Sequence, residues 1–456
     1  MNNKQINRLA IAFLFCIIFL ASLSPAFSQM QRLTLEQAID LAVQNNYDAK
    51  KARLAVQKSE AKIDEALGSA LPKLTLNANY TNNPKKPKFF LPDFANPGSG
   101  ELKAVEIGAT NSFKAGAQLT QILFNSAVFT GIGTAKTFYK ASKEQYKSSI
   151  SKTIGSVKKT FYGVLLAKEL VAVFDTILAN ANHNLYVAEK MYEEGFIPEF
   201  DLLRARTSVK NLEPELLNAQ MNYMKLLNLF KFNIGIDVNE NIEPAGSISL
   251  KEYKLPNTDS LIAKLKEANY DLRTLKYMEN VQEEVIDIYR SDYYPSLILF
   301  GNYTYQGQSN DWDFKTVKSA AVGVNLSLTL FQGMQTKNRV QQAKVDYLTS
   351  VEQYNQTYEA LKMKLKNAVY KLSLAKSKVE INEGNIARAK RGFHIAEIRY
   401  KEGTGSQVEI NDANSALAKA NLNYLRASYD YLEATIELEE LLGKVPQKYI
   451  NKFDNH

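Results

Sequence analysis

The stretch NYDAKKARLA at residues 46–55 returns as NYDLRTLKYM at 269–278, with Asn-Tyr-Asp opening both. At the same offset of 223, Pro72 falls on Pro295 and Tyr80-Thr81 on Tyr303-Thr304 without a gap. Farther along, an offset of 207 brings Gly116 onto Gly323 and Phe124 onto Phe331. An offset of 208 then pairs Ala188-Glu189 with Ala396-Glu397, Tyr192 with Tyr400, Glu194-Gly195 with Glu402-Gly403, and Gly235 with Gly443. Register held over this much chain reads as an internal tandem duplication. The first repeat then spans 29–236 and the second 258–444, with a linker at 237–257 and a tail at 445–456.

Each repeat reads as helix, strand, loop, strand, very long helix, turn, helix. The first helix runs over about 34–69 and again about 258–292, stopped by Pro72 and Pro295. Leu74 to Thr81 alternates apolar and polar, as does Ala320 to Leu330, which predicts strands within hairpins at 72–124 and 295–331. The loop 82–112 carries Pro84, Pro87, Pro92 and Pro97 and reads as irregular and exposed; the other loop is 306–318. The long helices are expected at about 125–194 and 332–401. From Tyr347 through Leu365, Leu372, Ile386 and Phe393 to Tyr400, apolar residues recur at alternating steps of four and three, broken only by Asn382. The same grid runs from Tyr139 to Tyr192. A period of about 3.5 held this long implies coiled packing. At about 1.5 Å per residue each helix reaches on the order of 100 Å.

The chain has 456 residues and a formal charge of +8. Residues 1–28 read as a secretory signal: Lys4 and Arg8, an apolar run from Leu9 to Ala21, then small residues at Ala26 and Ser28. That run is shorter than the roughly 20 residues of a spanning helix. Removing the signal takes the charge from +8 to +6, since residues 1–28 hold no acid. This mild excess does not point to nucleic acid. The only cysteine, Cys16, lies in the signal, so no disulfide or thiol chemistry is expected after it is removed.

An exported chain with four amphipathic strands, each near the ten or so residues that cross a bilayer as a tilted strand, points to a membrane β-barrel. Four strands cannot close one, and an open edge in lipid leaves backbone groups without partners. The barrel must therefore be shared between chains. Two copies supply eight strands and three supply twelve, and strand count alone leaves both open. Tyr80, Phe113, Tyr303, Tyr305 and Trp312 gather near the loops, with Phe124 and Phe331 at the opposite strand ends, as two interfacial girdles would.

Duplicated hairpins ending in LFN and LFQ (Phe124-Asn125, Phe331-Gln332), paired long helices, and the turn RYKEGTGSQVEINDANSALAKANLNYL from Arg399 together resemble the TolC-type outer-membrane efflux proteins. The resemblance implies a mostly α fold with membrane β: a homotrimeric twelve-stranded barrel continuous with a periplasmic coiled-coil helical tunnel. It implies an exit duct of a tripartite efflux or type I secretion system in the outer membrane of a Gram-negative bacterium. Its partners would be a periplasmic adaptor (membrane fusion protein), an inner-membrane transporter and outer-membrane lipid. It needs no cofactor.

Both long helices end in turns where glycine permits the reversal and an acid opens the returning helix. On spacing alone Asp201 and Glu409 read as helix-start residues, with Ser406 and Glu409 as a capping box and Pro198 as a usual first position. Asp412, three residues past Glu409 on the same face, is not explained by capping. The resemblance places Glu409 and Asp412 around the tunnel mouth as a ring of carboxylates, and Tyr400 and Asp201 among contacts that hold the tip closed. It also makes the turns Gly195, Phe196, Ile197, Pro198 and Gly403, Thr404, Gly405, Ser406 the adaptor-contact surface. Where well-known members carry a basic residue, this chain has Gly405.

GIGTAK at Gly131 lacks the third glycine of a dinucleotide loop and reads as close packing at a strand-to-helix junction. His183 and His394 do not coincide under the repeat and have no neighbouring ligand set. No nucleophile with its base is visible, so neither an enzyme nor a metal site is expected. A trimeric adhesin or a periplasmic coiled-coil scaffold are the rival readings. The transported substrate is not written in the chain.

Overall fold

The repeated Asn-Tyr-Asp marks a helix break. In the computed structural model, which describes residues 31–92, 98, 100–250 and 257–453, strand β1 (Gln31–Leu33) leads into α1 (Leu35–Asn45) and α2 (Tyr47–Gly68). The expected signal 1–28 and parts of the linker and tail lie outside the described residues. Then come β2 (Lys73–Asn82), β3 (Lys88–Pro92), β4 (Leu102–Glu106), β5 (Asn111–Phe124), α3 (Ser126–Glu193) and α4 (Glu199–Ile234). After β6 (Ile242–Pro244) the order resumes with α5 (Thr258–Ala268), α6 (Tyr270–Arg290), β7 (Ser296–Ser309), β8 (Lys315–Ser327), α7 (Gln335–Lys401), α8 (Gln407–Leu441) and the short α9 (Gln447–Ile450). Among the described residues no helix is long and apolar enough to cross a membrane.

Where the sequence pattern predicts one first helix per half, the structure has two, broken at Asn46 and Asn269. Asn46 takes ψ 137° and its Oδ1 accepts the N–H groups of Asp48 at 2.9 Å and Ala49 at 3.2 Å, capping α2. Its Nδ2 donates to the carbonyl of Asn233 at 2.8 Å, in the last turn of α4. Asn269 Nδ2 makes the corresponding bond to Leu441, in the last turn of α8, at 3.0 Å. Gly235 caps α4 at φ 73°, and a Cβ there would come within 2.4 Å of the Asn45 backbone, so the helix end can reach the break only with glycine. Apolar periodicity passes through such a break unaltered, which is why the pattern hides it. Asn46→Ala removes a cap and leaves the half-buried Asn233 carbonyl without this donor, a cost of about 2 kcal/mol. A clearly lowered thermal unfolding midpoint is expected, with Asn46→Asp, which keeps the cap, falling between.

The chain forms two compact units: residues Arg53–Tyr146 with Tyr270–Ala360, and the rest of the described chain. The first holds one antiparallel sheet in the order β2-β5-β7-β8, so the second strand of one hairpin pairs with the first of the other. Its register puts Leu74, Leu76, Ala78 and Tyr80 in line with Leu119, Ala117, Ala115 and Phe113, then with Gly301, Tyr303, Tyr305 and Gly307, then with Val322, Ala320, Lys318 and Thr316. The opposite face carries Asn77, Asn79, Lys114, Gln118, Asn302 and Thr304. Within the chain, β2 and β8 are open edges. Phe113 lies over Gly307 and Phe300 over Gly323, each ring covering a glycine across the strand pair.

Several expectations are corrected here. The second strand of the second hairpin spans Lys315–Ser327 instead of Ala320–Leu330, shortening the loop 306–318 to a five-residue turn, 310–314. Positive φ at Gly333 (59°) and Met334 (65°) delays α7 to Gln335. The loop 82–112 is not irregular throughout: β3 and β4 form a hairpin with Phe89 opposite Val105 and Lys88 paired with Glu106 at 3.3 Å. Two of the prolines sit where no ladder N–H is required, Pro87 before β3 and Pro92 at its end, and Pro97 lies outside the described residues. Gly131 and Gly133 lie inside α3, where an added Cβ would meet nothing within 4 Å, so close packing of the chain against itself does not explain them. The expected aromatic gathering is present: Tyr80 stacks on Trp312 at 5.9 Å, and Phe113 touches Tyr305 and Phe314 at 5.4 and 5.2 Å.

In the other unit the apolar stripe is the core. Leu365, Ala368 and Leu372 on α7, and Val157, Val164 and Ala188 on α3, are buried. β1 pairs in parallel with β6, carrying Glu243 into the interior. Glu243 accepts hydrogen bonds from Lys168 and from the Tyr223 hydroxyl at 2.9 Å. Burial alone would raise its pKa, but these bonds and the charges of Lys168 and Arg32 outweigh it and hold the carboxyl below its usual 4.5. Burial, then the bond to Glu243, pushes the Tyr223 phenol up to about 12. A depressed carboxylate contributes stability above its unfolded pKa and loses it as pH falls through the lower folded value. Glu243→Gln is therefore expected to flatten the acid side of a stability–pH profile below about pH 4.5. An unchanged acid limb would contradict this.

Candidate functional site

The two turns that end α3 and α7 are built alike and dressed differently. Gly195 at φ 75° lets Phe196 N–H reach the Met191 carbonyl at 2.7 Å; Gly403 at φ 71° lets Thr404 and Gly405 N–H reach the Arg399 carbonyl at 2.9 Å. Around the first turn, Ile197 and Leu185 pack against buried Ala188, Leu202 and Ala205. Phe196 and Phe200 are left 75% and 68% exposed, whereas the second turn presents Thr404, Gly405 and Ser406.

Ser406 Oγ accepts the Glu409 N–H at 3.2 Å, which is half of the expected capping box. The Glu409 carboxylate faces Arg399, whose Nη1 is 3.5 Å away and whose Nη2 donates to the Thr404 carbonyl at 3.2 Å. Arg399 thus stands as the cation beside the carboxylate, a role that spacing did not disclose. A Cβ at Gly405 would lie 3.0 Å from the Tyr400 backbone nitrogen and 3.1 Å from Arg399, so a larger residue there requires the turn to shift. Asp412 is exposed and has no ion pair among the described residues.

Tyr400 is 2% exposed and its hydroxyl has no hydrogen-bond partner among the described residues. Burial, and then the nearby charge of Asp201, pushes its pKa up. The fold therefore brings Tyr400 toward Asp201 and Glu409 toward Arg399 within one chain, while Glu409 and Asp412 share one face of α8. His394 Nδ1 lies 3.8 Å from Glu397, and no group of metal-ligating side chains occurs among the described residues.

A four-stranded sheet with one apolar face and two open edges, joined to helices of 67 and 68 residues, has the build of a subunit of an outer-membrane channel. The family described as outer membrane efflux protein matches residues 38–228 and 261–444, and the chain belongs to that family. It is an efflux exit duct of the outer membrane. It is 20% identical over 449 residues to outer membrane protein TolC of Escherichia coli, covering 95% of this chain and 87% of that one. To the TolC of Vibrio cholerae it is 21% identical over 342 residues, 73% of this chain and 77% of that one. The fold is similar to the CmeC outer membrane channel of Campylobacter jejuni, with a TM-score of 0.76 at 20% identity over 90% of this chain and 85% of that one.

Proposed function

We propose that three copies pool their sheets, β8 of one against β2 of the next, into a twelve-stranded barrel, and that the long helices continue it as a periplasmic tunnel. The observation that carries this reading is the open sheet: two unpaired edges and a one-sided apolar face are tolerable in lipid only when identical neighbours close the ring. Each subunit is a tandem of two hairpin-plus-rod repeats, 29–236 and 258–444, after a signal at 1–28. Substrates pass passively, with energy supplied by an inner-membrane transporter through a periplasmic adaptor; no reaction is assigned. Loss of the gene is expected to raise the accumulation of an exported dye in whole cells, with restoration by the wild-type chain. A null strain that exports normally counts against the assignment.

The tip is the gate. Glu409 and Asp412 from three copies converge as a carboxylate ring, and Tyr400 with Asp201 holds neighbouring helices closed. The turns 195–198 and 403–406 receive the adaptor, the first supplying the apolar anchors. Phe196→Ser with Phe200→Ser should weaken adaptor binding by about tenfold or more, as loss of aromatic anchors does. Thr404→Ala with Ser406→Ala should change it little. Equal losses from both turns, read by titration with purified adaptor, would reverse this ranking.

A further inference from the structure

Lys318 is the one charged side chain among the outward sheet positions, whose register runs from Leu74 to Tyr80, Phe113 to Leu119, Leu297 to Gly307 and Thr316 to Leu326. It lies opposite Tyr305, one row deeper than the Tyr80–Phe113 pair, with Nζ 5.9 Å from the Tyr305 ring. Lys88, in the β3–β4 hairpin, and Lys315, at the start of the same strand as Lys318, pair with Glu106 at 3.3 Å and Asp313 at 3.4 Å. Lys318 is exposed and has no anionic partner among the described residues. A neighbouring copy supplies none on the adjoining strand either, since the outward residues of β2 are Leu74, Leu76, Ala78 and Tyr80. An unpaired cation at the edge of the hydrocarbon is costly unless its stem lifts it to an anion at headgroup level. Above it, Trp312 takes φ 71°, an unfavourable region for a bulky residue, and is 69% exposed while stacked on Tyr80 and set edge-on to Phe314. Backbone strain that places an indole on the outward surface points to a use for that surface.

Resting on the membrane-spanning reading of the sheet, we propose that Lys318, with Tyr305 beside it and the Trp312–Tyr80 platform above, binds a phosphorylated lipid of the outer leaflet. The ammonium pairs with a lipid phosphate while the aromatic rings lie along the sugar and upper acyl region. The purified channel should be titrated in detergent with lipid A, with lipid A stripped of its phosphates, and with inorganic phosphate, reading bound mass by native mass spectrometry. Lys318→Gln, or removal of the lipid phosphates from the wild-type titration, is expected to weaken binding about fivefold. Lys318→Arg should retain it, and inorganic phosphate should not compete at the lipid's own concentration. Equal affinity of Lys318→Gln, equal affinity for the stripped lipid, or full competition by inorganic phosphate would each overturn the site. Wild-type and Lys318→Gln channels are expected to conduct alike in planar bilayers. A wild-type protein that neither inserts nor conducts refutes the membrane reading, whereas a conducting channel indifferent to residue 318 refutes the lipid site alone.

Discussion

Val322→Arg is expected to abolish assembly in the outer membrane, while Ala321→Arg, one residue away, leaves the channel in place. Val322 is 82% exposed within the chain and sits in an outward row with Leu74, Leu119 and Gly301, in the middle part of β5, β7 and β8. A cation on the lipid face at mid-depth costs about 2–4 kcal/mol per copy, and every copy in the proposed ring carries it. Ala321 belongs to the other face, in line with Asn302, Gln118 and Thr75, where water solvates an added guanidinium. The assembled form in outer-membrane fractions is the readout. A harmless Val322→Arg beside a damaging Ala321→Arg would mean that the two faces are assigned the wrong way round.

Replacing Glu409 and Asp412 together with alanine is expected to bring the cation-to-anion permeability ratio of the reconstituted channel close to one and to relieve block by divalent cations. In the proposed trimer, six carboxylates about the threefold axis would make a constriction where cations concentrate. The contributions are unequal in this chain. Arg399 stands 3.5 Å from Glu409 and offsets its charge, whereas Asp412 has no ion pair among the described residues. Asp412→Ala should therefore lower selectivity more than Glu409→Ala, and Arg399→Gln should raise it. Unchanged selectivity in the double variant would remove these residues from the pore mouth.

The long helices were legible because a side-chain stripe repeated over some 54 residues, Tyr347 to Tyr400, overrides local noise, and those positions are indeed buried or half-buried. The strands were legible by alternation, but their loop-side ends were not. Lys315 to Ser319 continues β8 through mostly polar residues that the ladder, and not any apolar pattern, keeps extended. The helix breaks at Asn46 and Asn269 escaped because the deciding partners, Asn233 and Leu441, are 187 and 172 residues away in sequence. At the tip, Gly405 was visible as a departure, yet its cause was not. The turn folds back onto Arg399 and Tyr400, leaving a Cβ only a tight fit 3.0–3.1 Å from their atoms and bringing Arg399 to Glu409. Long-range hydrogen bonds and turn sterics carry no periodic signature, so they appear only in three dimensions.

The pooling of open sheets is tested most directly by the mass of the channel extracted from the outer membrane in mild detergent, measured on the same material that is then placed in a planar bilayer. Three chains per particle with steady ion conductance is the expected result. A particle of one chain, conducting or not, would contradict it, because β2 and β8 would then face lipid unpaired.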